Sequence, residues 1–324
     1  EQLAWSGPAG SIATDAVIYS SSGRIKDQTI DGADAGAGVD NFVYDAAGSL
    51  TTARVPGQTH TYSFANDPGC AVVNAGANTN RTSTTVNGGA ATTYCYDAAD
   101  RLVSTSDSRY SAPAYDGHGN TTTLGTQTMK YDGADRHVET KAGTEPTVRY
   151  VRDAADRIVE RKVGGTVVAR YGYSAAGDTA DLTLDASGTV IERLYPLVGS
   201  VLLTKRGSGD VWSYPNIHGD VIATANSAGA KQGSTMHYGP FGQVLGATPD
   251  NSADDLDYGW LGQHQRPLEH EGSLATIEMG ARQYAPGLGR FLEVDSVEGG
   301  SANDYEYVGG DPVNGLDLDG NRCV

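Results

Sequence analysis

Cysteine is scarce in this chain of 324 residues, with three in all at Cys70, Cys95 and Cys323. No Cys-x-x-Cys pair occurs, which removes the usual spacing for a structural zinc or a dithiol redox centre. Cys70 and Cys95 are left with two readings: a disulfide closing the loop between them, or two small buried thiols. Long apolar runs are missing as well. Nothing approaches the roughly 18 apolar residues of a membrane-spanning helix, so membrane insertion is not expected. Positive charge is thin, 23 Lys and Arg against 40 Asp and Glu, for a net charge of −17. Such a surface repels phosphate backbones and anionic lipid, so nucleic acid is not expected as a partner. The helical spacing i, i+3, i+4, i+7 is absent from stretches such as "ATDAVIY" and "GTVVARYGYS". The opening "EQLAWSGPAG" carries no signal-peptide pattern, so any export signal is expected upstream of it.

What is abundant points the other way. The chain holds 43 Gly and 18 Tyr, against 4 Phe and 3 Trp. Tyr, Val and Thr suit a half-buried pleated surface, and Gly supplies positive φ between strands. One pattern recurs: a Tyr, an Asp or small polar residue, two small residues, Gly or Asp, then often Arg and an aliphatic residue. It reads "YSSSGRI" at Tyr19, "YDAAGSL" at Tyr44, "YDAADRL" at Tyr96, "YDGHGNT" at Tyr115, "YDGADRH" at Tyr131 and "YSAAGDT" at Tyr173. Variants appear as "VRDAADRI" with Asp153, "YGPFGQV" at Tyr238 and "YAPGLGRF" at Tyr284. The alternating residues before each Tyr make a strand, and "DAAG" or "DGHG" makes a tight turn. Segments such as "RLVSTS" and "RIVERKV" make the returning strand. A lone hairpin is marginal in water, so these units are expected to join edge to edge as a repeat architecture.

This sequence resembles the YD-repeat, or Rhs, family over nearly its whole length. The most specific part is the C-terminal third. "YPNIHGDVIATANSAGAKQGSTMHYGPFGQVLG" resembles the hairpins that precede that family's core domain. "YGWLGQHQRPLEHEGSLATIEMGARQYAPGLGRFLEVDS" and "YEYVGGDPVNGLDLDG" resemble the start and end of the Rhs repeat-associated core. The resemblance implies an all-β fold, with YD-repeat hairpins in a long spiralling sheet that forms a hollow shell closed by the core domain. Residues 1–246 would be the hairpin shell and 247–324 the core domain. Relatives include the C components of Tc toxins, wall-associated proteins and teneurin-like proteins. In that family the shell encloses a toxic C-terminal polypeptide. The implied partners are the chain's own C-terminal effector segment or other shell segments, with secretion machinery or a cell-surface partner. The implied location is secreted, extracellular or bacterial cell-surface. With roughly ten hairpins, the chain reads as the C-terminal part of a shell or as a small shell with little cargo. The alternative is a structural or adhesive surface protein, or an assembly component, without cargo.

The resemblance also implies a chemistry. The family's core carries two Asp-Pro-x-Gly turns assigned to an aspartyl autoprotease that cuts just after the second. Here the turns are "DSVE" from Asp295 and "DLDG" from Asp317, 22 positions apart, a spacing that fits. Asp295 and Asp317 are the catalytic candidates, with the cut just beyond Gly320, around Asn321. Two carboxylates held together would share a proton, one activating water and the other polarising the scissile carbonyl. Ser296 and Leu318 replace the prolines and Glu298 replaces the first glycine, so plain turn aspartates in an inactive core remain the second reading. No enzyme activity beyond self-cleavage is expected, and no cofactor. His264 and His270 are poorly spaced for a metal and His218 reads as a turn residue, so no metal is expected. Arg290, in "PGLGRF", is expected in a structural salt bridge. Asn80 and Asn120 match the glycan acceptor pattern.

Overall fold

A computed structural model describes residues 1–65, 70, 76–253, 256–271, 275–297 and 303–321. The all-β architecture expected from the repeats is what forms. Every ordered element among the described residues is a strand or a single 3-10 turn. The strands pair antiparallel with their sequence neighbours throughout, in ladders of four, six, thirteen and five. The longest ladder runs without a crossover from Ala114–Tyr115 to Lys231–Gln232.

Six of the turns are built the same way. In "YDAAG", the Asp45 carboxylate accepts from the N–H groups of Ala47 and Ser49, both at 2.9 Å, and Asp45 N–H donates to Ser49 O at 3.0 Å. Asp97, Asp116, Asp132, Asp153 and Asp185 repeat those side-chain bonds two and four residues onward. This is a type I turn closed by one residue in the left-handed region, so the ladder shifts register at the turn. That residue is Gly119 (φ 92°) in one unit and Asp100, Asp135 or Asp156 (φ 58°, 61°, 67°) in others. Asp tolerates this conformation better than most residues because its short side chain bonds locally.

Several of the repeat tyrosines reach back one unit. Tyr44 Oη donates to Ile25 O at 2.6 Å, Tyr115 to Leu102 O at 3.0 Å, Tyr131 to Thr121 O at 2.7 Å, and Tyr173 to Ile158 O at 2.6 Å. Each acceptor is the first residue after the preceding turn. Arginines closing a turn lie over the following unit's ring: Arg24 over Tyr44, Arg101 over Tyr115, Arg157 over Tyr173. Phenol bonds and, at three of these steps, cation–π contacts therefore add to the ladder bonds of the wall.

The C-terminal segment lies against this wall. The five-strand ladder from Leu256–Asp257 to Arg290–Phe291 packs around Trp260, Tyr284, Phe291 and Tyr307, whose ring centroids lie 4.8 to 5.9 Å apart. Ala285, Leu288 and Leu292 pack with wall residues Tyr94, Tyr96, Leu102 and Met129. Buried charges tie the two together: Arg161 donates to both oxygens of Glu269 at 2.8 Å, and Arg152 donates to both of Glu278 at 2.7 and 3.0 Å.

Candidate functional site

The site begins with a hairpin turn. Strands Thr276–Met279 and Arg282–Ala285 are joined at Gly280 and Ala281. The turn Asp317–Gly320 lies across it, with Ala281 N–H donating to Asp319 O at 3.0 Å. Two glycines allow that approach. A Cβ on Gly280 (φ 60°) would fall 2.7 Å from Asp319 O, and one on Gly320 (φ 66°) would fall 2.3 Å from Met279 O. Each glycine also holds a positive φ that side chains resist.

Arg282 leaves this hairpin and becomes the centre of the site. Its guanidinium carbon lies 3.7 Å from the centroid of the Phe291 ring, which fixes its plane. Nη2 lies 3.0 Å from Asp295 Oδ2 and 3.1 Å from Asp317 Oδ2. Nη1 donates to Asp304 O at 2.8 Å, and Nε donates to the carbonyl of Gly320. The three charged side chains retain 3%, 2% and 5% of their exposure.

Both aspartates are also held by backbone. Asp295 N–H donates to Asp304 O at 3.0 Å, and its Oδ1 accepts from Val297 N–H at 2.9 Å. Asp317 Oδ1 accepts from Asn321 N–H at 3.1 Å, and Asp317 N–H donates to Tyr307 Oη at 3.3 Å. Ser296, standing where the family pattern has proline, donates its hydroxyl to Asn321 Oδ1 at 2.8 Å. Asp295 and Asp317, chosen from the sequence, are thus brought together with Gly320 and Asn321.

The site adds a cation to the two carboxylates expected from the sequence. A guanidinium, bonded to one oxygen of each carboxylate, offsets one of the pair's two negative charges, and a proton is still needed to neutralise the other. Neighbouring Asp304 feels the cluster: partial burial and the charges of Asp100 and Asp295 push its carboxyl up, against the pull of Arg282. Arg282 was not singled out from the sequence. The usable signal was that two buried carboxylates need a cation nearby, and "MGARQY" supplies one within the matched core segment.

Other sequence candidates separate from this site. Cys70 and Cys95 are both half-buried, and no disulfide joins the two. Glu298 and Cys323 lie outside the described residues. No group of three His, Cys, Asp or Glu side chains among the described residues is arranged to hold a metal ion. His270 meets Asp257, and His264 meets Gln263. Arg290 is buried, yet its guanidinium donates to Asn80 Oδ1 and Asp100 O and stacks over Tyr96 and Tyr305, in place of the expected salt bridge. Asn80 and Asn120 are 2% and 1% exposed and hydrogen-bonded, so neither presents a glycan acceptor in the folded chain.

A wall of latched hairpins with a core segment packed against it defines a YD-shell protein. The chain belongs to the teneurin YD-shell family, whose model it matches over residues 9–303. Among curated proteins, it is 27% identical over 253 residues to the tRNA3(Ser)-specific nuclease WapA of Bacillus spizizenii, covering 74% of this chain and 10% of that protein. Salivary gland surface protein 1 of Aedes aegypti is 31% identical over 87 residues, covering 27% of this chain and 2% of that one. Among solved structures, the TcdB2–TccC3 complex matches 98% of this chain with a TM-score of 0.72 at 16% identity. The Photorhabdus luminescens Tc holotoxin pore matches 98% with 0.68 at 15%. The chain spans 18% and 17% of those two structures' chains.

Proposed function

We propose that this chain is a segment of a YD shell that encloses and presents a polypeptide attached at its C-terminus, with residues 1–246 as wall and 247–324 as core domain. We further propose that Asp295 and Asp317, with Arg282, cut the bond between Gly320 and Asn321. One observation carries the cleavage reading: that peptide is gripped on both sides, its carbonyl by Arg282 Nε and its N–H by Asp317 Oδ1.

The reaction is hydrolysis in cis. Asp295 takes a proton from water as the hydroxyl adds to the Gly320 carbonyl carbon. The oxygen that gains charge is already bonded to Arg282, the placement an oxyanion donor requires. Asp317, protonated for this step, gives its proton to the Asn321 nitrogen as the C–N bond breaks. The proton gained by Asp295 replaces the one lost by Asp317, leaving a Gly320 carboxyl group and an Asn321 amine. Presentation by the chain itself supplies the effective concentration. The released segment would stay inside the shell until delivery, at or beyond the cell surface.

A second reading is favoured by the pairing of both carboxylates with Arg282: the same cluster would pin the C-terminal turn in a non-catalytic structural or adhesive shell. Intact mass separates the two, using the chain with a reporter fused after Val324, beside Asp295→Asn, Asp317→Asn and Arg282→Lys. Self-cleavage gives a wild-type product ending at Gly320, slowed by about 10² to 10⁴ in the aspartate variants and about 10² to 10³ in the arginine variant. Full-length mass in a folded wild type leaves the pinning reading.

A further inference from the structure

We propose that Glu293 and Glu306 are proton-binding sites that lock the C-terminal segment against the wall, holding it closed while both carboxyl groups carry a proton and loosening it when they ionise. The proposal does not depend on whether the chain cuts itself.

The geometry comes first. Glu293 is 2% exposed and Glu306 9%. Glu293 Oε2 accepts from Gln283 N–H at 2.9 Å, and Glu306 Oε1 accepts from Gly309 N–H at 2.9 Å. The other oxygen of each, Glu293 Oε1 and Glu306 Oε2, is enclosed without a hydrogen-bond partner. Among the described residues neither carboxyl group forms an ion pair. A buried carboxylate with one oxygen unsatisfied is costly, and the proton is its ordinary remedy.

The surrounding charges do not supply that remedy. Glu293 faces Arg152 and the phenol of Tyr131 from the wall, and Glu278 and Arg282 from the core segment. Arg152 is committed to Glu278, and Arg282 to Asp295 and Asp317. Glu306 faces Arg290, the Thr79 hydroxyl, and the N–H groups of Gly309 and Gly310. Arg290 is engaged with Asn80 and Asp100 O, and Arg81, lining the same small cavity as Glu306, donates to Leu288 O. Burial is the largest influence on both groups. It pushes Glu293 up to about 8, against the Gln283 N–H and helped by the charge of Glu278. It pushes Glu306 up to about 7, against the Gly309 N–H, Thr79 and Arg290.

The direction of the effect follows from linkage. A free glutamate releases its proton near pH 4.3, so the closed state binds more protons than the opened one between there and pH 7 to 8. Closure is fully favoured in acid, weakens as pH rises through this window, and changes no further above it. Each group shifts the equilibrium by up to about tenfold per pH unit.

The test is thermal unfolding of the whole chain from pH 5 to 9, for wild type, Glu293→Gln, Glu306→Gln and the double variant. Glutamine is neutral and nearly isosteric, so it imitates the protonated acid. The expected result is a wild-type midpoint that falls across pH 5 to 8, a shallower fall in each single variant, and the smallest fall in the double. Equal slopes in all four would overturn the proposal. Should the variants not fold, infrared titration of the wild type decides: carboxylic acid absorption persisting at pH 6.5 and lost by pH 9 supports it. Complete loss by pH 5.5 would overturn it.

Discussion

The wall and the core segment use the same residue types to opposite ends. In the wall, the turn aspartates are satisfied by N–H groups two and four residues away and, at Asp97, Asp132 and Asp153, by an arginine of the same turn. Arg157 donates to Asp153 at 2.8 Å, with both side chains about a quarter exposed. In the core segment, Asp295, Asp317 and Glu269 are buried, and the cations that pair with them come from distant parts of the chain. Arg282 meets Asp295 and Asp317 with 3% of its own exposure remaining. The wall distributes small, repeated, local contributions. The core segment concentrates a few large ones, each depending on a single cation or proton.

Breaking the core should therefore cost most. Arg282→Ala would leave two buried carboxylates unpaired and is expected to destabilise the fold by about 3–5 kcal/mol, read as a drop in the denaturant midpoint. Arg161→Met should cost a similar amount by stranding Glu269. The double variant Arg161→Met/Glu269→Leu should recover most of that loss, because no charge is left buried; a double variant as unstable as the single would contradict the argument.

The wall should respond more mildly. Tyr131→Phe and Tyr173→Phe each remove one phenol bond to the preceding unit and are expected to cost about 1 kcal/mol. Tyr→Phe changes at two distant units should add. Arg101→Ala, which removes a surface pair with Asp97 and the stack over Tyr115, should cost about 0.5–1 kcal/mol, and high salt should shrink only the ion-pair share.

Acidity sharpens the contrast. In the wall, the bond from Arg157 and the N–H groups of the turn hold Asp153 below the usual carboxylate range, and Ser187 with its neighbours does the same for Asp185. Stability from these groups is present above the free aspartate value near pH 3.9 and lost as pH falls through their depressed values. Glu293 and Glu306 act with the opposite sign. Amide hydrogen exchange, corrected for intrinsic rates, should show the wall loosening first below pH 4 and the core segment loosening first above pH 7.

How much could be read beforehand follows the same division. The repeat was legible because its unit is complete within six residues: the Asp45 carboxylate and the N–H groups it binds lie inside "YDAAGS". The two aspartates were legible through a motif resemblance. Arg282 was not, since its partners lie 13 and 35 positions onward and only packing on Phe291 aims it at both. Glu293 and Glu306 read as ordinary acidic residues in an acidic chain; burial, which no local pattern records, gives them their character. The Asn80 acceptor sequence misled for that same reason, because Asn80 is enclosed by Asp100, Arg290 and Asn303.

The backward reach of the tyrosines gives the wall a direction in time. In such a unit, a hairpin emerging during synthesis leaves the carbonyl after its turn open until a later side chain arrives. Assembly from the N-terminus would then advance through these units like a ratchet, each such tooth set by a later residue. Tyr305 closes Gly119 O at 2.6 Å and Tyr284 closes Phe241 O at 3.0 Å, so the last tyrosines made reach far back. A chain truncated before Tyr284 would carry open teeth that no later residue could set.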